Sequence, residues 1–190
     1  MKQRCDWSTS NEVMMKYHDE EWGVPLHDDQ NLFEFLVLEG FQAGLSWQIV
    51  LNKREAFRKA FDQFNPVEVA KYGDEKVNEL LQNKDIIRNK LKIAATVNNA
   101  QRFLEVQNEF GSFDKYIWKF VNYKPMINTF KLMNELPAKT SLSDNISADL
   151  KKRGFKFIGS TVVYAHMQAT GMVNDHLVSC FRHEEVLKSG

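Results

Sequence analysis

Two sets of side chains in this 190-residue chain are of types that do chemistry. The first is Cys5 and His18 near one end and His176 and Cys180 near the other. Two thiolates and two imidazoles are a ligand set that a tetrahedral zinc ion fills completely, at about 2.0–2.3 Å. If the last segment is helical, the i, i+4 spacing of His176 and Cys180 puts both on one face. Four protein ligands leave no place for a catalytic water, so such an ion would be structural and would tie the termini together. The alternatives are that these residues merely pack in the interior, or that the two cysteines pair as a disulfide. The second set is a carboxylate among aromatic rings. Glu39 follows Leu32, Phe35 and Leu36 at helical spacing, which places it on the apolar stripe of its own helix. A carboxylate there is costly unless it is hydrogen-bonded or neutral. Trp47 follows a short glycine-flanked loop, and Tyr17 and Trp22 bracket an acidic run. A buried carboxylate with stacking rings can read a flat heterocycle that carries amino hydrogens. The plainer alternative is a Glu that caps a neighbouring backbone and rings that belong to the core.

Two further segments surround these residues. The turn Gly40–Ser46 carries Leu45 at its tip, where a leucine either folds back into the core or enters a base stack as an apolar wedge. The stretch Lys84–Lys92 sets Lys84, Arg88, Lys90 and Lys92 against Asp85. It is either a solvated turn or a place where backbone N–H groups and a helix N-terminus meet a phosphate.

The elements that must position these groups are helical. Leu32 to Glu39 reads as one helix that ends near Gly40–Gly44, and Ser46 caps the next, through Trp47, Val50, Leu51 and Phe57. Asn65-Pro66-Val67-Glu68 is a helix start, Asp74 opens another, and Arg88–Phe110 predicts a long helix with Leu91, Ala94, Ala95, Val97 and Leu104 inward and Gly111 as its stop. Helices over Ser143–Arg153 and Ser160–Thr170 stop at Gly154 and Gly171, and Lys124–Thr140 reads as a long irregular connection. Period-2 alternation is almost absent, so the expectation is an all-α fold in a single domain spanning 1–190.

Composition narrows the function classes. Lys+Arg 25 against Asp+Glu 25 leaves no net charge, so nucleic-acid or membrane binding must rest on a local patch. No stretch is apolar enough to span a membrane and no apolar signal-peptide core follows Met1–Trp7, which makes a cytoplasmic location the expectation. Two cysteines are too few for a disulfide framework.

Taken jointly, Arg4-Cys5, Tyr17-His18-Asp19, Glu21-Trp22-Gly23-Val24-Pro25, Leu38-Glu39-Gly40, Gln42-Ala43-Gly44-Leu45-Ser46-Trp47, Lys152-Arg153-Gly154-Phe155-Lys156-Phe157 and Asn174-Asp175-His176 resemble the DNA-3-methyladenine glycosylase I family over nearly the whole chain. That family is similar to the helix-hairpin-helix glycosylases, all-α proteins that place DNA across a cleft between two helical subdomains. The resemblance implies a repair enzyme that flips 3-methyladenine out of duplex DNA and hydrolyses its N-glycosidic bond. It also implies a structural zinc on Cys5, His18, His176 and Cys180, and a base pocket in which Glu39 bonds the purine, Tyr17 orients it, Trp47 stacks on it and Trp7 adds to the wall. Glu39 is then the catalytic residue, acting in recognition and transition-state electrostatics. Leu45 matches the position that plugs the duplex, and Ile86, Arg88 and Lys90 lie in the DNA-anchoring hairpin. Asp114 is the nearest counterpart of the aspartate that related glycosylases use. No protein partner is implied, and a monomer is expected. Two departures stand out: the hairpin lacks the usual glycines, and Phe41 follows Gly40 where the family is often polar. A zinc-stapled DNA-binding module without catalysis is the rival reading, and it leaves Glu39 beside Trp47 unexplained. A zinc-dependent nucleobase deaminase lacks its His-x-Glu and Pro-Cys-x-x-Cys pattern.

Overall fold

In the computed structural model, which describes residues 2–188, ten α-helices follow one another with short 3-10 turns between them. They are α1 (Glu12–Glu20), α2 (Asp29–Gln42), α3 (Trp47–Ala60), α4 (Pro66–Val69), α5 (Asp74–Gln82), α6 (Lys90–Phe110), α7 (Phe113–Trp118), α8 (Ser141–Lys152), α9 (Ser160–Ala169) and α10 (Phe181–Leu187). Among the described residues the exceptions to helix and loop are two-residue strands, β1 (Met126–Ile127) and β2 (Val173–Asn174), paired in parallel. No described helix is long and apolar enough to cross a membrane.

Local chemistry explains the helix boundaries. The side chains of Asp28, Ser46, Asn65, Asn89 and Thr140 each accept a backbone N–H of the helix they open. Gly111, Gly154 and Gly171 all take positive φ where helices stop, as their spacing predicts. α6 therefore starts at Lys90 rather than Arg88, and α8 at Ser141 rather than Ser143.

α2 lies at the centre and packs against α3, α6, α7 and α9. Every residue from Leu32 to Phe41 is buried, so this helix has no solvent stripe, contrary to the amphipathic reading. α6 also departs from expectation. Ala95 and Val97 are buried as expected, beside Ile93, Ala100, Phe103 and Val106, while Leu91 is 70% exposed, Ala94 is exposed and Leu104 is half-buried. The bulky rings around Phe103, which stacks on Phe113 and meets Phe33 edge-on, decide which face turns inward. The last helix begins only at Phe181, so His176 and Cys180 lie in a turn-rich connection and not on a helix face.

The two ends of the chain are sewn together. Gly23 N–H donates to Gln168 C=O at 3.0 Å, Leu26 N–H to Thr170 C=O at 3.0 Å, and Phe181 N–H to Gln3 C=O at 3.0 Å. Gly171, at φ +70°, makes this crossing possible, because a Cβ there would sit 2.3 Å from the Val24 carbonyl carbon. Gly171→Ala is expected to lower stability by about 2–5 kcal/mol, a drop in Tm of roughly 5–15 °C. Gly44→Ala, at φ +82° but with nothing within 4 Å, is expected to cost only about 1–2 kcal/mol. Thermal melts of the two variants check this; equal shifts would show that backbone crowding at Gly171 is not what limits it.

Candidate functional site

A cavity of about 340 Å³ opens between α1, α2, α3 and α9. Tyr17 and Met14 come from α1, Glu39 and Gln42 from the end of α2, Trp47 from the first turn of α3, and Ala165 and Gln168 from α9. Trp7, Trp22, Met133 and Leu136 complete the wall. The rings stand close: Tyr17 to Trp47 at 5.4 Å between centroids, Trp7 to Trp22 at 5.1 Å. This is a slot of a size for one flat heterocycle, walled by rings that can stack on it.

α2 carries two buried carboxylates, and they are treated differently. Glu34 accepts from Arg54 Nε at 2.6 Å and from Arg58 Nε at 2.9 Å, and Arg54 also donates twice to Glu21. That charge is fully compensated. Glu39, 4% exposed, has no such partner: burial pushes its carboxyl up to about 8, and its Oε2 makes no hydrogen bond. Trp47 Nε1 is likewise buried without an acceptor. A stranded acceptor and a stranded donor on the walls of one cavity are what a polar, flat ligand would satisfy. The Tyr17 phenol is held well above its ordinary range, first by burial and then by the neighbouring Glu39 and Glu21 carboxylates, so it is a donor at neutral pH.

The four residues from the chain ends converge behind this cavity. Cys5, His18, His176 and Cys180 are all buried, and their ligand atoms lie within 4.8 Å of one another. Cys180 Sγ is 3.4 Å from His18 Nε2 and 3.6 Å from His176 Nδ1, and Cys5 Sγ is 3.8 Å from His176 Nδ1. Ligands at about 2.0 Å (nitrogen) and 2.3 Å (sulfur) in a tetrahedron are about 3.5 Å apart, so the donor set fits zinc. The outer nitrogens agree. His18 Nδ1 bonds Asp19 Oδ1 at 2.8 Å, and His176 Nε2 donates to Trp22 C=O at 2.9 Å, which turns both inner lone pairs toward the centre. Arg4 anchors Asp19 in turn at 2.7 Å. Both cysteines are free thiols. Cys180 is pulled well down by its contact with Cys5 and by the two imidazoles, while the same contact and burial push Cys5 up. Trp22 stands edge-on to His176 at 4.7 Å and Trp7 edge-on to His18 at 5.4 Å, so the cluster backs the ring wall of the cavity.

The remaining expected residues divide. Leu45 is exposed at the tip of the loop between α2 and α3. Arg88 is exposed on the turn between α5 and α6 and Lys90 at the first position of α6, whereas Ile86 is 3% exposed and packs into the core. Its side chain holds that turn down and is not available to a duplex. Asp114 does not reach the cavity; it opens α7 and bonds His27 Nδ1 at 2.7 Å. Phe41 points into the core, 4.8 Å from the Phe57 ring, and leaves the cavity unaltered. Sequence reasoning missed Gln42, Gln168, Met133 and Leu136 as wall residues. Gln42 lies one helical turn beyond Glu39 and was within reach of that spacing; the others carry no local signal.

Comparison with known proteins agrees with this geometry. The chain is 47% identical over 178 residues to DNA-3-methyladenine glycosylase 1 of Escherichia coli (strain K12), covering 94% of this chain and 95% of that protein. It is 46% identical over 180 residues to DNA-3-methyladenine glycosylase of Haemophilus influenzae, covering 95% and 97%. A solved structure of 3-methyladenine DNA glycosylase I from Staphylococcus aureus, described for its recognition of 3-methyladenine, superposes with a TM-score of 0.91 at 36% identity, covering 94% of this chain and 95% of that one. The family model described as methyladenine glycosylase matches residues 7–183, and the chain belongs to that family.

Proposed function

We propose that this chain is a DNA-3-methyladenine glycosylase, which takes the damaged base out of duplex DNA into the ring-lined cavity and hydrolyses its N-glycosidic bond. The observation that carries this reading is that the uncompensated Glu39 carboxyl and the unpartnered Trp47 Nε1 belong to residues that line one cavity of a size for one purine. Methylation at N3 gives adenine in DNA a positive charge. With its carboxyl near 8, Glu39 costs only about 1.4 kcal/mol to ionise at pH 7, and a cation beside it repays that directly. Ionised Glu39 then accepts from the exocyclic amine, while Tyr17 orients the base, Trp47 stacks on it and Trp7 adds to the wall. As the C1′–N9 bond breaks, its electron pair goes to the base, which leaves neutral; water adds to the sugar carbon and gives up a proton. An undamaged adenine brings no charge to offset the ionisation of Glu39, so the pocket favours the lesion as well as the lesion's own weak bond.

In the same reading the whole chain is one domain that works as a monomer, with DNA lying across a cleft between two helical subdomains. α5, the turn 83–89 and α6 form the helix-hairpin-helix, where Arg88 and Lys90 meet phosphates and Leu45 fills the gap the base leaves. Cys5, His18, His176 and Cys180 would hold a zinc ion. When bound it supplies a cross-link rather than Lewis acidity, since four protein ligands leave no open position.

Three outcomes are expected. Chromatography of bases freed from methylated duplex DNA should show 3-methyladenine with the unaltered chain and roughly 100-fold slower release with Glu39→Gln; equal rates would remove Glu39 from the reaction. The same substitution should stabilise the fold. A carboxyl raised from 4.5 to about 8 costs stability as pH climbs from about 4.5 to 8, because the unfolded chain gives up its proton first. Glu39→Gln should therefore melt higher at pH 8, by about 2–4 kcal/mol, with the advantage gone near pH 4.5. Metal analysis should find one zinc per chain. Its removal by chelation, or Cys180→Ser, should lower Tm by roughly 10 °C or more and shift tryptophan emission as Trp7 and Trp22 lose their backing; a chelated protein that melts and fluoresces as before would exclude a structural metal.

A further inference from the structure

Lys92 lies in the first turn of α6, three residues after its cap Asn89, and is only 9% exposed. Its ammonium does not pair with a carboxylate. Instead Nζ donates to Phe41 C=O at 2.8 Å and to Ala43 C=O at 2.7 Å, the carbonyls at the C-terminal end of α2. Other helix ends here close on their own backbone: Gly111 N–H on Gln107 C=O at 2.8 Å, Gly154 N–H on Lys151 C=O at 2.9 Å. α2 is finished by a side chain from a distant element, whose charge also suits the negative end of the helix. Burial pulls the Lys92 ammonium down from its ordinary range, so the arrangement is sustained by these two bonds.

Two segments are joined by this contact. On one side is the turn into α6, which exposes Arg88 and, at the first position of the helix, Lys90. On the other is the end of α2, which bears Glu39 and Gln42 and runs straight into the loop that exposes Leu45. Leu45 N–H closes that loop on Gln42 C=O at 2.6 Å, so its tip is tied to the peptide between the two carbonyls that Lys92 holds. We propose that Lys92 is a positioning residue that locks the wedge loop to the DNA-anchoring turn, so that gripping the backbone and opening the base stack occur as one rigid movement. This rests on the roles given above to Leu45 and to the turn.

The test compares excision of 3-methyladenine from a duplex with excision from a single-stranded gap, where no stack has to be opened, for the unaltered chain, Leu45→Ala, Lys92→Met and Lys92→Arg. Lys92→Met is expected to slow the duplex reaction by about 10- to 100-fold through kcat. Activity in the gap should be unchanged, and Lys92→Arg should restore most of the loss. A 2-aminopurine placed beside the lesion should brighten on binding the unaltered chain and stay dim with Lys92→Met. Lys92→Gln, which keeps a neutral amide donor but neither the charge nor the reach, replaces the Met variant if that variant does not fold, with the same split expected. Equal slowing on both substrates would mean a distorted pocket and would overturn the proposal, as would no slowing on either. If Leu45→Ala excises from duplex as fast as the unaltered chain, the wedge reading itself fails and the proposal with it. A slow Leu45→Ala beside a normal Lys92→Met would overturn the proposal alone.

Discussion

The site depends on one electrostatic imbalance: a carboxyl on a helix buried on every side, with no cation to meet it. Five residues earlier on the same helix, Glu34 shows what the fold does with a buried carboxylate that has only to be stable, surrounding it with two guanidinium groups. Glu39 is left with desolvation and nothing to offset it. Such a group stays protonated in the folded state at neutral pH, and it ionises at small cost when a cation arrives beside it. The aromatic walls extend the same preference, since ring faces attract positive charge without supplying a hydrogen bond of their own. In the proposed reading, selectivity is thus written as an absence in the protein, filled by the charge of the damaged base.

Holding that imbalance in place requires a wall that does not collapse onto it. Most of the wall, including its four aromatic rings, comes from the first fifty residues, which are backed by groups from the last twenty. His176 receives Trp22 both through its backbone carbonyl and edge-on to its ring, and His18 meets Trp7. The Cys/His cluster therefore acts on the cavity through the tryptophans, without any of its four members lining it. Across the cavity, α9 brings Gln168, which Asp175 fixes at 2.8 Å beside the cluster residue His176. Both sides of the slot are thus referenced to the same short C-terminal connection.

What could be read from the residues alone follows from the range of the forces involved. Caps such as Ser46 and Asn65 and stops such as Gly111 and Gly171 act within one turn, and they marked helix ends to within a residue or two. Glu39 was legible because a charge at a repeated apolar position is a local anomaly, although the helix proved buried all round and not merely striped. The Cys/His set was legible by ligand type, but through the wrong geometry: a turn, not a helix, brings His176 to Cys180. α6 was misjudged because a count of apolar positions weighs Leu91 and Ala94 like Phe103, whereas packing favours the large ring. Ile86 was placed in the hairpin by the resemblance, and only the fold shows that its side chain turns into the core. Met133 and Leu136 come from an irregular segment that only tertiary contacts place, so nothing periodic announced them.

The closure of the chain on itself has a consequence for how the molecule comes into being. Cys5 meets Cys180, Phe181 bonds to Gln3, and Gly171 crosses the Val24–Pro25 backbone, so the contacts that complete the cavity span almost the full sequence. Contacts of such separation are the slowest to form, because the intervening chain must first surrender its entropy. During synthesis, Trp7, Tyr17 and Trp22 emerge long before His176 and Cys180 exist. A partly made chain therefore holds helices and aromatic surface but no finished slot, and it acquires the capacity to grip a base only at the last step of folding.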